Sequence, residues 1–340
     1  MRAAQVDAYG APLVVREVPT PEPGPGEVLV RVAGVGVCHS DVHLWSGELP
    51  MLPELPWTLG HENAGHVHKL GPGVTGVEVG EAVAIFGGWG CGACVRCRSG
   101  DEQLCDVTGW AGIGRPGGFA EYVLVPSARH LVPLGDLDPV TAAPLTDAGL
   151  TPYRAVKRVL RLLVPGATAV TIGLGGLGQY GLQYLKLLTA ADVAAVDIAA
   201  HKRTLATELG ADLAVDPGVG VADAAASIRQ LAPTGAAAVI DYVGSDETLS
   251  LAASVVAPQG TIVIVGIAGG ALPVSFLGLP TEATVTTSYW GTPNELREVI
   301  ALARRGRLHH EIVTEPLEAA GDVLARLQRG EVTGRVVLTP

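Results

Sequence analysis

A chain of 340 residues is long enough for two domains of ordinary size, and a 48% hydrophobic content can fill a core in each. Aromatics are only 4%, so Val, Ala, Leu and Ile must supply those cores, and 45 glycines and 24 prolines spread between apolar runs imply tight turns rather than disorder. A net charge of −11 disfavours nucleic-acid binding, which needs a basic face, and the N-terminal segment lacks the apolar core of a signal peptide. In chain order, strands are predicted at 28–37, 79–85 and 119–125, with Pro23-Gly24-Pro25-Gly26 and Gly71-Pro72-Gly73 as turns. The texture turns helical over 144–163. From Thr168 strands and helices alternate: a strand at 168–172, a helix at 179–188, a strand at 193–196, a helix at 202–209, then strands at 239–242 and 261–265. That alternation predicts a doubly wound parallel sheet with helices on both faces. The tail from 295 carries two helical stretches and a final strand at 334–338. Residues 250–281 contain no charge, but Pro258, Gly260, Gly266, Gly269, Gly270, Pro273, Gly278 and Pro280 cut them into strand-sized pieces, against a membrane span.

Gly173, Gly175 and Gly178 form G-x-G-x-x-G between a predicted strand and helix. The first glycine permits a tight turn, the second lets backbone approach a pyrophosphate, and the third lets helix and strand pack closely. Asp197 follows at the end of the next strand. There a carboxylate would bind both ribose hydroxyls and repel a 2′-phosphate, favouring NAD over NADP; it could also serve as a strand-end cap. Lys202 and Arg203 lie close by in sequence and pull slightly the other way.

All five cysteines can be assigned to metal. Cys91, Cys94, Cys97 and Cys105, at spacings of two, two and seven residues, suit a closed tetrahedral thiolate cage for a structural zinc. A nucleic-acid zinc ribbon would need separated knuckles and a basic surface, and disulfides fit neither the spacing nor a reducing cytoplasm. Cys38 stands alone, with His61 and Glu62 following 23 residues later. One thiolate plus a distant histidine describes an open site, so two zinc ions per chain are expected.

These strings, V-C-H-S-D, G-H-E-x-x-G-x-V, the cysteine cluster and G-L-G-G-L-G in this order, resemble the medium-chain zinc-dependent alcohol dehydrogenases. A-A-P-L-T-D-A-G-L-T-P-Y and S-Y-W-G-T make the chain most similar to bacterial NAD-dependent secondary-alcohol dehydrogenases. The resemblance implies an α/β fold: a mostly-β GroES-like catalytic domain, 1–148 with 291–340, around a Rossmann NAD domain, 149–290. It implies Cys38 and His61 as catalytic zinc ligands. Where the family commonly has a second cysteine, this chain has Asp147, a competent ligand that could also be a helix N-cap. Glu62 is expected beside the metal, or as a buried acid paired with an arginine. Asp41 is expected on the far nitrogen of His61, or as a helix cap.

The resemblance further implies a proton path through Ser40 and His43, though a loop histidine can also be merely solvated. His39 and Arg335 are implied on the pyrophosphate. A histidine at position 39 would hold phosphates less firmly than arginine. Gly176, Leu177, Lys202, Val265, Ser288 and Trp290 complete the implied cofactor contacts. Tyr289 and Trp290 resemble residues near the nicotinamide and substrate, with Leu44, Trp45, Leu52, Trp57 and Trp110 as cleft candidates that could each be plain core. Ser40 in place of bulkier threonine leaves room for a second alkyl group, favouring secondary alcohols and ketones by only ~1–3 kcal/mol. The implied partners are a small-molecule alcohol or ketone and copies of the same chain in a homotetramer or homodimer. No nucleic acid or membrane is implied, and the location is cytoplasmic. A polyol or sugar dehydrogenase, and a catalytically silent zinc- and nucleotide-binding protein, are the rival readings.

Overall fold

The computed structural model describes residues 1–107, 109–332 and 334–340. The chain divides into two compact units, Met1–Leu150 with Gly291–Pro340, and Thr151–Trp290.

The first unit is mostly strand. β1 (Arg2–Val6), β2 (Val14–Glu17) and β4 (Trp57–Thr58) form a three-stranded sheet in the order β2-β1-β4. β3 (Val28–Gly36), β5 (Glu62–Leu70), β6 (Ala82–Ile85), β9 (Tyr122–Val125), β10 (Leu131–Pro133), β17 (Ile312–Pro316) and β18 (Arg335–Thr339) form a larger one in the order β10-β6-β5-β3-β18-β17, with β9 also on β3. β7 (Gly88–Trp89) and β8 (Gly109–Trp110) make a small ribbon. Val28, Val30, Val32, Leu59, Val83, Ile85 and Phe119 are buried among these strands, so the aromatic-poor core is built of branched aliphatics.

The second unit is a six-stranded parallel sheet: β11 (Thr168–Ile172), β12 (Asp192–Val196), β13 (Leu213–Val215), β14 (Ala236–Asp241), β15 (Val256–Ile264) and β16 (Thr284–Thr287). Its order, β13-β12-β11-β14-β15-β16, reverses direction between β11 and β14, the topology of a Rossmann fold. β11 is buried along its whole length, as a central parallel strand must be.

Several boundaries differ from the sequence reading, each for a local reason. The strand expected at 79–85 begins at Ala82, because Gly80 takes φ +89° in a turn. The strand expected at 119–125 begins at Tyr122. Before it, Phe119 turns its backbone N–H to Leu59 O and its carbonyl to Ala4 N–H. The helical run at 144–163 is broken: a 3₁₀ turn, Ala143–Thr146, stops at Asp147 (φ −136°, ψ −61°) before the helix Leu150–Lys157 begins. The strand expected at 261–265 starts five residues earlier, at Val256. β17 was not expected; its alternating Ile-Val-Thr-Glu-Pro is too short and polar to stand out, and it exists because β18 offers a parallel edge.

Candidate functional site

Cys38 sits where β3 ends and the helix His39–Ser46 begins. The backbone N–H of Cys38 donates to Asp41 Oδ2 at 2.9 Å, while Asp41 Oδ1 lies 3.0 Å from His61 Nδ1. Asp41 is therefore both helix cap and histidine partner, the two roles that the sequence left as alternatives. With its Nδ1 proton given to Asp41, His61 presents Nε2 to the other side. There Asp147 Oδ2 lies 3.4 Å from His61 Nε2 and 3.6 Å from Cys38 Sγ. The non-helical backbone at Asp147 is what aims this carboxylate away from the helix that follows.

Donor atoms of Cys38, His61, Glu62 and Asp147 all lie within 4.8 Å of one another, and all four residues are buried. Zinc bonds of about 2.3 Å to sulfur and 2.0–2.1 Å to nitrogen or oxygen, opened tetrahedrally, put neighbouring donors about 3.3–3.8 Å apart. The spacings from Asp147 to His61 and to Cys38 fall in that range. Electrostatics point the same way. Burial alone would lower the His61 pKa, but Asp41, Asp147 and Cys38 leave it raised well above the ordinary value. A pocket this rich in acidic groups fits a cation.

Glu62 stands apart from the other three. Arg335 Nε donates to Glu62 Oε2 at 2.9 Å, its second arm donates to Oε1, and the backbone N–H of Ala148 donates to Oε1 at 3.1 Å. Burial pushes the Glu62 pKa up to about 7, Arg335 pulls it down, and Asp147 adds to the push. Strand pairing puts Gly36 opposite Glu62, and a Cβ at Gly36 would come 1.9 Å from Glu62 Oε2. The carboxylate thus occupies the space that a side chain at position 36 would fill. Arg335, implied on the pyrophosphate by resemblance, is 6% exposed and turned onto Glu62. Ala148 N–H and Gly36 carry no side-chain signature, and sequence reasoning missed both.

Ser40 Oγ lies 3.8 Å from Cys38 Sγ. One turn on, His43 Nδ1 is 2.5 Å from Glu48 Oε2, with its side chain one-fifth exposed. The exposed ring of His39 stands 5.6 Å from that of His43. Of the cleft candidates, each of which could equally be core, Leu44 is buried among aliphatics, and Trp57 is buried with Nε1 donating to Gly112 O. Trp45 donates to Ala11 O, and Trp110 packs across Gly88.

The second thiol group is local. Cys91–Cys97, Cys94–Cys97 and Cys94–Cys105 sulfurs are 3.9, 3.6 and 3.8 Å apart, close to the ~3.8 Å edge of a zinc tetrathiolate and far from a disulfide's ~2.05 Å. Backbone N–H groups of Ala93 and Cys94 hold the Cys91 thiol down to about 6, while burial pushes Cys97 up to about 12. Beside this lobe Glu102 meets Arg129 at 3.2 Å and His130 Nε2 at 3.1 Å, and Arg129 also donates to Gly90 O. Burial lowers the His130 pKa, so the ring is neutral with its proton on Nε2, donating to Glu102.

In the second unit the glycine turn joins β11 to the helix Gly178–Leu188. Gly173 has φ +84°, and a Cβ at Gly178 would lie 1.7 Å from Gly173 O. At Gly175 a Cβ would meet nothing within 4 Å, leaving open space over the turn where a pyrophosphate fits. Asp197 follows β12; Oδ2 accepts from Leu174 N–H and Oδ1 from Ala199 N–H, both at 2.8 Å, so it caps the turn as well as facing Lys202 Nζ at 3.9 Å. Gly176 and Leu177 complete the turn. Val265 and Ser288 follow the carboxyl ends of β15 and β16, on the sheet edge where α/β ligands bind. Ser288 Oγ is buried without a hydrogen-bond partner among the described residues. Trp290 is buried with φ +47°, and Tyr289 is half exposed.

Two family models match the chain: an alcohol dehydrogenase GroES-like domain over residues 24–136 and a zinc-binding dehydrogenase over 176–305. The NAD-dependent alcohol dehydrogenase of Sulfurisphaera tokodaii is 37% identical, covering all of both chains. The D-arabinose 1-dehydrogenase (NADP(+)) of Saccharolobus solfataricus is 36% identical over the whole chain and 97% of its own length. Among solved structures, the alcohol dehydrogenase of Aeropyrum pernix superimposes with TM-score 0.93 at 38% identity over the whole of both chains. No helix among the described residues is long and apolar enough to cross a membrane.

Proposed function

The chain belongs to the zinc-dependent medium-chain alcohol dehydrogenases, and from that premise we propose that Cys38, His61 and Asp147 hold its catalytic metal. It is an NAD-dependent oxidoreductase acting on alcohols. The observation that carries the site is a buried trio of thiol, imidazole and carboxylate, with Asp147 Oδ2 3.4 Å from His61 Nε2 and 3.6 Å from Cys38 Sγ. When bound, zinc acidifies an alcohol and NAD accepts its hydride.

The rest is done by side chains. Asp41 fixes the His61 tautomer. Ser40 relays the alcohol proton, accepting it as its own hydroxyl proton passes on, and His43, at the partly exposed face of the same helix, passes a proton to water with Glu48 holding the ring. Arg335 and the Ala148 N–H hold the Glu62 carboxylate beside the ligands without freeing it to replace one. Cys91, Cys94, Cys97 and Cys105 hold a second, structural zinc, giving two per chain. Asp197 selects NAD, and the glycine turn seats its pyrophosphate.

The substrates we propose are secondary alcohols and the corresponding ketones, supported by the small Ser40 side chain. The D-arabinose relative favours a sugar as the second reading. Five free thiols support a reducing cytoplasm, and the family supports a homodimer or homotetramer.

The test is metal analysis of pure protein followed by initial rates. Two zinc ions per chain, and secondary alcohols oxidised with NAD faster than primary alcohols or sugars, are expected. One zinc refutes the two-site assignment, and higher rates with D-arabinose than with secondary alcohols install the second reading.

A further inference from the structure

One cation beside the cofactor turn is held by two backbone carbonyls and a carboxylate. Arg203 lies in the first turn of the helix Ala200–Glu208, six residues after Asp197. In this fold an arginine near the β12 carboxylate is the group that accommodates a 2′-phosphate. Here its guanidinium is turned away. One terminal nitrogen donates to the backbone carbonyls of Asp197 and Ile198, both at 2.8 Å, and the other lies 2.9 Å from Asp216 Oδ2.

Asp216 is well placed to hold it. β12 and β13 pair in parallel with Val196 opposite Val215, so Asp197 and Asp216 follow neighbouring strand ends. Its other oxygen, Oδ1, accepts from Gly218 N–H at 2.8 Å, which fixes the carboxylate on the turn Pro217–Val219. The Arg203 side chain is 21% exposed and Asp216 39%, so the pair sits at the rim of the site, not in the core.

We propose that Asp216 is a specificity-determining residue: it confines Arg203 to the Asp197 and Ile198 carbonyls and so denies a 2′-phosphate its cation. The inference rests on the assignment of Asp197 to the adenosine ribose. Two carboxylates then divide the discrimination. Asp197 repels the phosphate directly, and Asp216 removes the arginine that would attract it. Lys202, 3.9 Å from Asp197, is a second cation nearby, itself facing that carboxylate.

Asp216→Asn separates these roles, because the amide oxygen still accepts from Gly218 N–H while the charge that holds Arg203 is gone. Binding is read by calorimetric titration of the intact enzyme with NAD and with NADP. The dissociation constant for NADP should fall about 5- to 10-fold relative to that for NAD, the scale of one charge-assisted phosphate contact. The gain should shrink as salt is raised and vanish in the double variant Arg203→Met, Asp216→Asn. Asp216→Ser, which also keeps an acceptor, repeats the test if the first variant does not fold.

An unchanged NADP to NAD ratio in a folded variant overturns the proposal. So does a gain that persists without Arg203, which would make it a general charge effect. Loss of NAD binding in the wild type would instead overturn the cofactor assignment itself, and titration with 2′-AMP against 5′-AMP reads the arginine independently of turnover.

Discussion

The four-cysteine lobe and the Cys38 pocket gather metal ligands in opposite ways. Cys91 to Cys105 span one short stretch, their sulfurs held by neighbouring backbone N–H groups, and Cys91 is exposed. Cys38, His61 and Asp147 come from three separated segments and are buried. A local cage can form from loop geometry alone, so a metal held there would stabilise the loop and little else. The buried trio needs the whole first unit in place, and burying that much negative charge without a cation costs several kcal/mol. One candidate site would shape the chain around a metal; in the other the folded chain would shape the metal's surroundings.

That contrast can be broken. The largest effect is expected from Asp147→Ala, which should remove one zinc per chain and lower kcat/KM at least ~1,000-fold while the fold persists. Asp147→Cys should keep the metal. Full activity in the alanine variant would return Asp147 to a structural role. Cys97→Ser should remove the other zinc and lower the melting temperature by ~5 °C or more, with residual activity at low temperature following the folded fraction. Immediate loss of kcat in a fully folded Cys97→Ser protein would show that the two sites are not independent.

The smallest effect sharpens the comparison by pH. Burial opposes it, but His130 and Arg129 hold the Glu102 carboxyl down to about 2 from an ordinary 4.5. A depressed carboxylate contributes stability that is present above about 4.5 and lost as pH falls through about 2. Burial likewise depresses His130 below 6.5, which adds acid sensitivity in the same direction. Melting temperatures from pH 7 to pH 3 should therefore fall less steeply for Glu102→Gln than for the wild type. Parallel curves would remove Glu102 from the bracing of the lobe.

How much of this was legible follows from the range of each interaction. The Cys91–Cys105 spacing and the glycine turn are side-chain chemistry at short spacing; Cys38 and His61, 23 residues apart, are read from their motif strings, and the structure brings the four sulfurs into one group and Cys38 and His61 into another. Asp147 was legible only by resemblance, since nothing local brings residue 147 to residue 38; the broken helix does that. Alternatives framed as exclusive were not. Asp41 caps its helix and orients His61 with its two oxygens. What stayed hidden was backbone and absence: the Ala148 N–H, the carbonyls that hold Arg203, and an edge strand, β17, that depends on its neighbour.

Gly36 is not a proposed ligand, yet its missing side chain is the room in which Glu62 meets Arg335. In a scan of every substitution, position 36 would therefore score as part of the active site. A change there could be tolerated only together with a shortened residue at position 62, so the two positions form a single unit of inheritance.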